Sequence, residues 1–113
     1  MMKKITLALL SVGLLSSCYR SAEMIIINEI PDVEIDNIRF DDKKISCCLM
    51  TGDQDNIEIR LRSDENQLES KLHFIMRSNE EAIKLRTKET YLLQNGDWLN
   101  ISLTRSTLVE IDE

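Results

Sequence analysis

The side chains with which this chain could do chemistry are three cysteines, one histidine and many carboxylates. Cys47 and Cys48 are neighbours, and neighbouring side chains on a strand point to opposite faces. The favoured arrangement puts Cys47 in the core beside Ile45 and Leu49, as a small apolar residue. Cys48 then shares the other face with Ser46 and Met50. Two further arrangements stay open: a vicinal disulfide, whose eight-membered ring departs from ordinary disulfide geometry, and an intermolecular bond through Cys48. A metal site is not expected, because no second cysteine pair follows and His73 stands alone. His73 could serve as a base near neutral pH, but alternation places it opposite Leu72 and Phe74, on a polar face. No Gly-x-Ser-x-Gly, His-Glu-x-x-His or phosphate loop accompanies it, and no serine has a partnered base. Asp53-Gln54-Asp55-Asn56 opens like a calcium loop, yet Ile57 and Glu58 stand where an oxygen ligand and a glycine belong. It reads as an acidic turn. Enzymatic activity, a cofactor and a small-molecule substrate are therefore not expected.

The remaining cysteine, Cys18, closes a different pattern. Lys3 and Lys4 precede an apolar run from Ile5 to Leu15, which ends in Leu15-Ser16-Ser17-Cys18. A positive start, a short apolar stretch and small residues make a secretory signal, and the run is shorter than the roughly 20 residues that span a bilayer. Leu-Ser-Ser-Cys resembles the lipobox of bacterial lipoproteins. The resemblance implies cleavage before Cys18, a diacylglyceryl group on its sulfur and acylation of its new amine. Each buried CH₂ contributes about 0.8 kcal/mol, and more than one chain gives stable anchoring. Tyr19 in the following position leans towards the outer rather than the inner membrane. The chain thus divides into a signal peptide (1–17), a lipidated Cys18 with a short tether to residue 23, and a folded domain over 24–113. Residues 19–23, fully extended, reach about 17 Å, which keeps the domain close to the envelope membrane, facing an oxidising periplasm.

Cleavage there removes 17 of 113 residues and two of 14 basic side chains against 20 acidic ones, so 96 residues remain and the balance moves from −6 to −8. That balance argues against nucleic acid and against an anionic membrane surface beyond the lipid itself. It would steer a basic protein partner. Strands are expected at 24–27, 33–40, 45–50 and 57–61, where Ile57, Ile59 and Leu61 alternate with Glu58 and Arg60. More follow at 68–76, 83–85, 91–93, 99–103 and 109–111. Asn95-Gly96 carries a hairpin signal. The pattern predicts an all-β fold, a small immunoglobulin-like β-sandwich of about seven strands, with a small open barrel as runner-up. The expected core is Ile45, Cys47, Leu49, Ile57, Ile59, Leu61, Leu72, Phe74, Leu99, Ile101 and Leu103.

In order along the chain, the lipobox, Pro31-Asp32, Asp36-Asn37, Lys44-Ile45-Ser46-Cys47 and Gly96 resemble a family of short enterobacterial lipoproteins, the type VI secretion immunity periplasmic lipoproteins. The resemblance implies a small β-sandwich that binds and blocks a toxin delivered into the periplasm. It carries over no binding residues, and the adjacent Cys48 lies outside the pattern. The binding candidates come from the turns: Asp53, Asp55, Asp64 and Glu65, with Trp98 as either an aromatic anchor or a cap on the core. A structural lipoprotein of the envelope is the alternative function.

Overall fold

The structure, a computed structural model, describes residues 20–62, 64 and 66–112. Alternating side chains build ten strands there: β1 (Arg20–Asn28), β2 (Glu34–Phe40), β3 (Lys43–Ser46), β4 (Gln54–Leu61), β5 (Gln67–Ser70), β6 (Leu72–Ser78), β7 (Glu81–Thr87), β8 (Tyr91–Gln94), β9 (Trp98–Leu103) and β10 (Val109–Ile111). No helix occurs among the described residues. The apolar run Met24 to Ile27 sits in the middle of β1, which β4 flanks antiparallel and β9 flanks parallel. A five-stranded sheet runs β10-β7-β6-β2-β3, and β5 pairs with β8 in a two-stranded ribbon.

The inward faces meet in one core. β1 contributes Ala22, Met24 and Ile26, β4 Ile59 and Leu61, and β9 Ile101 and Leu103. The larger sheet contributes Ile35, Ile38, Phe40, Leu72, Phe74 and Leu85, and the ribbon adds Leu68 and Leu93. The result is an all-β sandwich. Removing such side chains from water stabilises it by about 1.5–3 kcal/mol each. Three expected core positions, Ile45, Ile57 and Leu99, are half-buried against this cluster rather than inside it.

Four differences from the sequence reading have physical causes. Four of the residues expected in the tether, Arg20 to Glu23, already belong to β1, paired with Leu61 to Glu58; Cys18 and Tyr19 lie outside the described residues. Ser21 is held by the Asn95-Gly96 turn, its N–H donating to Asn95 Oδ1 at 3.2 Å and its carbonyl accepting from Gly96 N at 2.8 Å. That turn closes tightly, with Asp97 N donating to Gln94 O and Gly96 at φ 85°, a value glycine adopts without cost. It does not form a hairpin, however, because β8 pairs with β5 and β9 with β1.

The segment 68–76 is two strands. The chain changes sheets at Lys71, where Ser70 Oγ donates to Lys71 O and accepts from Asp41 N. This break turns the nine expected segments into ten strands, more than the seven or so of the expected sandwich.

Cys47 is exposed and does not enter the core. β2 bulges at Asn37, a non-glycine residue at φ 47°, so Ile35 and Ile38 both point inward despite their odd spacing. The partner register also shifts between Ile38 and Arg39, and a one-residue shift exchanges the faces. Ser46, not Cys47, is the buried residue at the end of β3. Cys47 and Cys48 follow outside the strand, joined to each other as a vicinal disulfide, with both sulfurs within 3.8 Å of Asp36 Oδ1.

Candidate protein-binding end and sheet face

The pairing directions give the sandwich two ends. Arg20 of β1 lies opposite Leu61, and Glu23 lies opposite Trp98, so one end gathers the start of β1, the end of β4 and the 95–97 turn. Gln54 lies opposite Ile27 and Arg77 opposite Glu34. The other end therefore gathers the turns at 31–33, 50–53 and 78–81. β4 separates them by eight residues, about 26 Å at 3.3 Å per residue.

The sequence candidates divide between these ends and do not form one site. Asp53 is at the second end, where its carboxylate accepts from Met50 N at 3.0 Å and closes the 50–53 turn. Asp55, one step into β4, is half-buried and accepts from Ser46 Oγ at 2.8 Å. Both carboxylates of the calcium-like motif thus have structural partners. Asp64 is exposed near the first end. Glu65 and Cys18 lie outside the described residues. Trp98 begins β9 at the first end with 65% of its surface exposed. Its indole N–H donates to Asn100 Oδ1 at 3.2 Å, so it lies on the sheet and does not cap the core.

The acidic concentration that the structure does assemble is at the second end. Asp32, Glu34, Glu80 and Glu81 line a cleft of about 600 Å³ together with Arg77 and the exposed Met50. These residues come from three separate turns and the strand ends beside them, and only the sheet pairings bring them together. Asn28 fixes one side of this end. Its buried amide donates to Val33 O at 3.0 Å and Leu49 O at 2.9 Å, and its oxygen accepts from Ile30 N at 3.0 Å.

The outer face of the five-stranded sheet is an internally paired charge network. His73 Nδ1 lies 2.8 Å from Asp112 Oδ2, which also faces Arg39 at 3.9 Å. Glu110 takes Arg86 Nε at 2.5 Å and Lys71 Nζ at 3.2 Å. The Arg86 and Lys71 hydrogen bonds hold the Glu110 carboxyl below the usual range. Burial pushes the Tyr91 hydroxyl above its ordinary value. A histidine oriented by an aspartate is two parts of a nucleophilic relay. The cleft over it is lined by Arg39, Asp41, His73, Lys84 and Asp112, which offer no hydroxyl or thiol to activate.

The outer face of the three-stranded sheet is different in kind. Its rows read Trp98–Glu23–Glu58, Asn100–Ile25–Asn56 and Ser102–Ile27–Gln54. Two half-buried isoleucines stand between amides and a hydroxyl, and the row of the exposed Trp98 indole holds two exposed carboxylates, Glu23 and Glu58. Sequence reasoning missed this face because Met24 to Ile27 is an unbroken apolar run, in which hydropathy does not show which residues point outward. No protein-family model, curated protein or solved structure matches the chain.

Proposed function

We propose that the chain is a lipid-anchored periplasmic immunity protein, which binds and neutralises a toxin delivered by a type VI-type secretion system. It acts by binding and not by catalysis. The observation that carries this reading is the placement of the acidic cleft. Cys18 precedes the first strand by two residues, about 7 Å of extended chain. A lipid on Cys18 therefore puts the membrane at the end holding the start of β1, Asp64 and Trp98. The cleft of Asp32, Glu34, Glu80 and Glu81 is at the opposite end, about 26 Å away along β4. A tethered domain presents that end to the periplasm, where loops on a rigid scaffold are the usual place for recognition.

The sequence candidates are revised accordingly: Asp53 stays near the presented end, while Asp64 and Trp98 fall on the membrane side. The resemblance to immunity lipoproteins and the acidic balance support a basic toxin surface as the partner. Met50, 55% exposed at the cleft, supplies an adaptable apolar contact beside the charges. Charge complementarity of this kind acts mainly on association rate.

The test is co-expression. A cell that receives the toxin encoded beside this gene in its periplasm should survive with this protein and die without it. The Glu80→Gln/Glu81→Gln variant should keep its fold and associate more slowly, with less dependence on salt. Survival that is indifferent to the protein would remove the immunity reading and leave a structural role in the envelope.

A further inference from the structure

The two sheets do not close on each other everywhere. Leu103 ends β9 in one sheet and Val109 begins β10 in the other, so residues 104–108 cross from sheet to sheet. Under that crossing is a hollow of about 230 Å³. The buried Phe74, Leu85 and Leu103 line its depth, and the half-buried Ile30, Met76 and Val109 line its walls. Protein interiors hold few voids larger than a water. An apolar cavity of about 150 Å³ lined by such side chains stays dry and takes up benzene. This hollow is larger, and its rim is the crossing segment itself, Thr104, Arg105 and Thr107.

The rim decides what the polar end of an occupant must be. Both threonines are engaged in their own turn: Thr104 Oγ1 accepts from Ser106 N at 3.1 Å, and Thr107 Oγ1 accepts from Thr104 N at 2.9 Å. Arg105 is exposed, is the only charged side chain in the lining and has no ion-pair partner among the described residues. On a chain of net charge −6, the one charge at this opening is a cation. A guanidinium beside an apolar hollow matches a carboxylate on an apolar tail. Its planar fork takes both carboxylate oxygens, and the hollow removes the tail from water. A methylene fills about the liquid volume of a water, about 30 Å³, so the tail has roughly eight carbons.

We propose that this hollow binds a medium-chain fatty acid, with its carboxylate on Arg105 and its chain against Phe74, Leu85 and Leu103. The inference does not depend on the toxin reading, whose acidic cleft shares none of these residues.

The experiment uses the full-length protein in the membranes of the expressing cell and an octanoate that carries a photoactivatable diazirine near the end of its chain. Mass spectrometry locates the label, which should concentrate on Met76, Val109 and the other residues of the hollow. Unlabelled octanoate should suppress labelling at a concentration about tenfold below that needed for octylamine, which has the same tail and the opposite charge. Octanol should fall between them. Arg105→Gln, a change at an exposed position, should keep the wild-type circular dichroism spectrum in detergent. It should need about tenfold more octanoate for the same suppression and no more octanol. Arg105→Glu should reverse the order and favour octylamine. Label spread over the surface overturns the proposal, as does octanoate that competes no better than octylamine or octanol. So does an Arg105→Gln protein that competes with octanoate as the wild type does, which would leave an apolar hollow with no headgroup site.

Discussion

Asn28 gives the sharpest test of how the acidic end is held. It is fully buried at the end of β1, and its side chain satisfies three backbone groups from two other segments: Val33 O, Leu49 O and Ile30 N. Asn28→Ala removes one hydrogen bond from each; Leu49 O keeps Ile35 N at 2.9 Å and Val33 O keeps Thr51 Oγ1 at 3.4 Å, so Ile30 N bears the largest loss. An unsatisfied buried group costs about 1–3 kcal/mol. Part of the loss is recovered if water enters, so a net cost of about 3 kcal/mol is the expected value. That is a large share of the 5–15 kcal/mol typical of small domains. At about 4–8 °C per kcal/mol for a domain of this size, the melting temperature should fall by more than about 10 °C.

Asn28→Asp keeps the shape but turns a donor of two hydrogen bonds into an acceptor that faces two carbonyls. Desolvation and those carbonyls raise the folded pKa of the new carboxyl above its unfolded value of about 3.9. The native state then holds the extra proton, so the variant is at its relative best below that value and loses stability as pH rises through the folded pKa. Urea denaturation followed by far-ultraviolet circular dichroism, run for the three proteins across pH 3–7, reads both effects. An Asn28→Ala protein within about 0.5 kcal/mol of wild type, the range of ordinary surface substitutions, would refute the reasoning. An Asn28→Asp penalty that shrinks as pH rises would refute its electrostatic half.

Other outcomes follow from the same structure. Phe40→Ala empties the centre of the core and should cost about 3–5 kcal/mol, while the exposed Arg60→Ala should stay within about 0.5 kcal/mol; equal melting shifts would mean that the faces are misassigned. Glu110 has a folded pKa lowered by Arg86 and Lys71, so its contribution is present above the unfolded carboxyl value and fades as pH falls through the folded one. The stability gap between wild type and Glu110→Gln should therefore be open at neutral pH and closed in acid, measured by denaturation at the two extremes. Cys18→Ala should block incorporation of labelled palmitate and leave an unprocessed precursor; equal labelling would remove the anchor.

The fold was legible where apolar and polar residues alternate without interruption. Ile57-Glu58-Ile59-Arg60-Leu61 lies in β4, which begins earlier, at Gln54, and Leu72 to Arg77 put His73 and Arg77 on the outer face of β6. It was illegible wherever the backbone departs from a strict two-residue period. The Asn37 bulge turns Ile38 inward, and the loss of register at β3 exposes Cys47 in favour of Ser46. Neither device leaves a mark in hydropathy, because Asn37 looks like any polar strand residue until its positive φ is known. The Asn95-Gly96 signal was right about the turn and silent about the pairing, since a tight turn fixes local angles and the choice of sheet is made by the core.

The candidate site failed to read out for a related reason. Asp53, Asp55, Asp64 and Glu65 are close in sequence, and proximity in sequence invites grouping. A strand of eight residues between Asp53 and Asp64 carries them to opposite ends of the sandwich. Asp32, Glu34, Glu80 and Glu81 are up to 49 positions apart in the chain yet line one cleft, because β2 and β6 run antiparallel with Glu34 beside Arg77. Where successive strands run antiparallel, a binding end is made by alternate turns, not by successive ones. An acidic turn therefore acquires a meaning only once its strands have been given partners, and with those partners one end has four carboxylates arranged by topology alone.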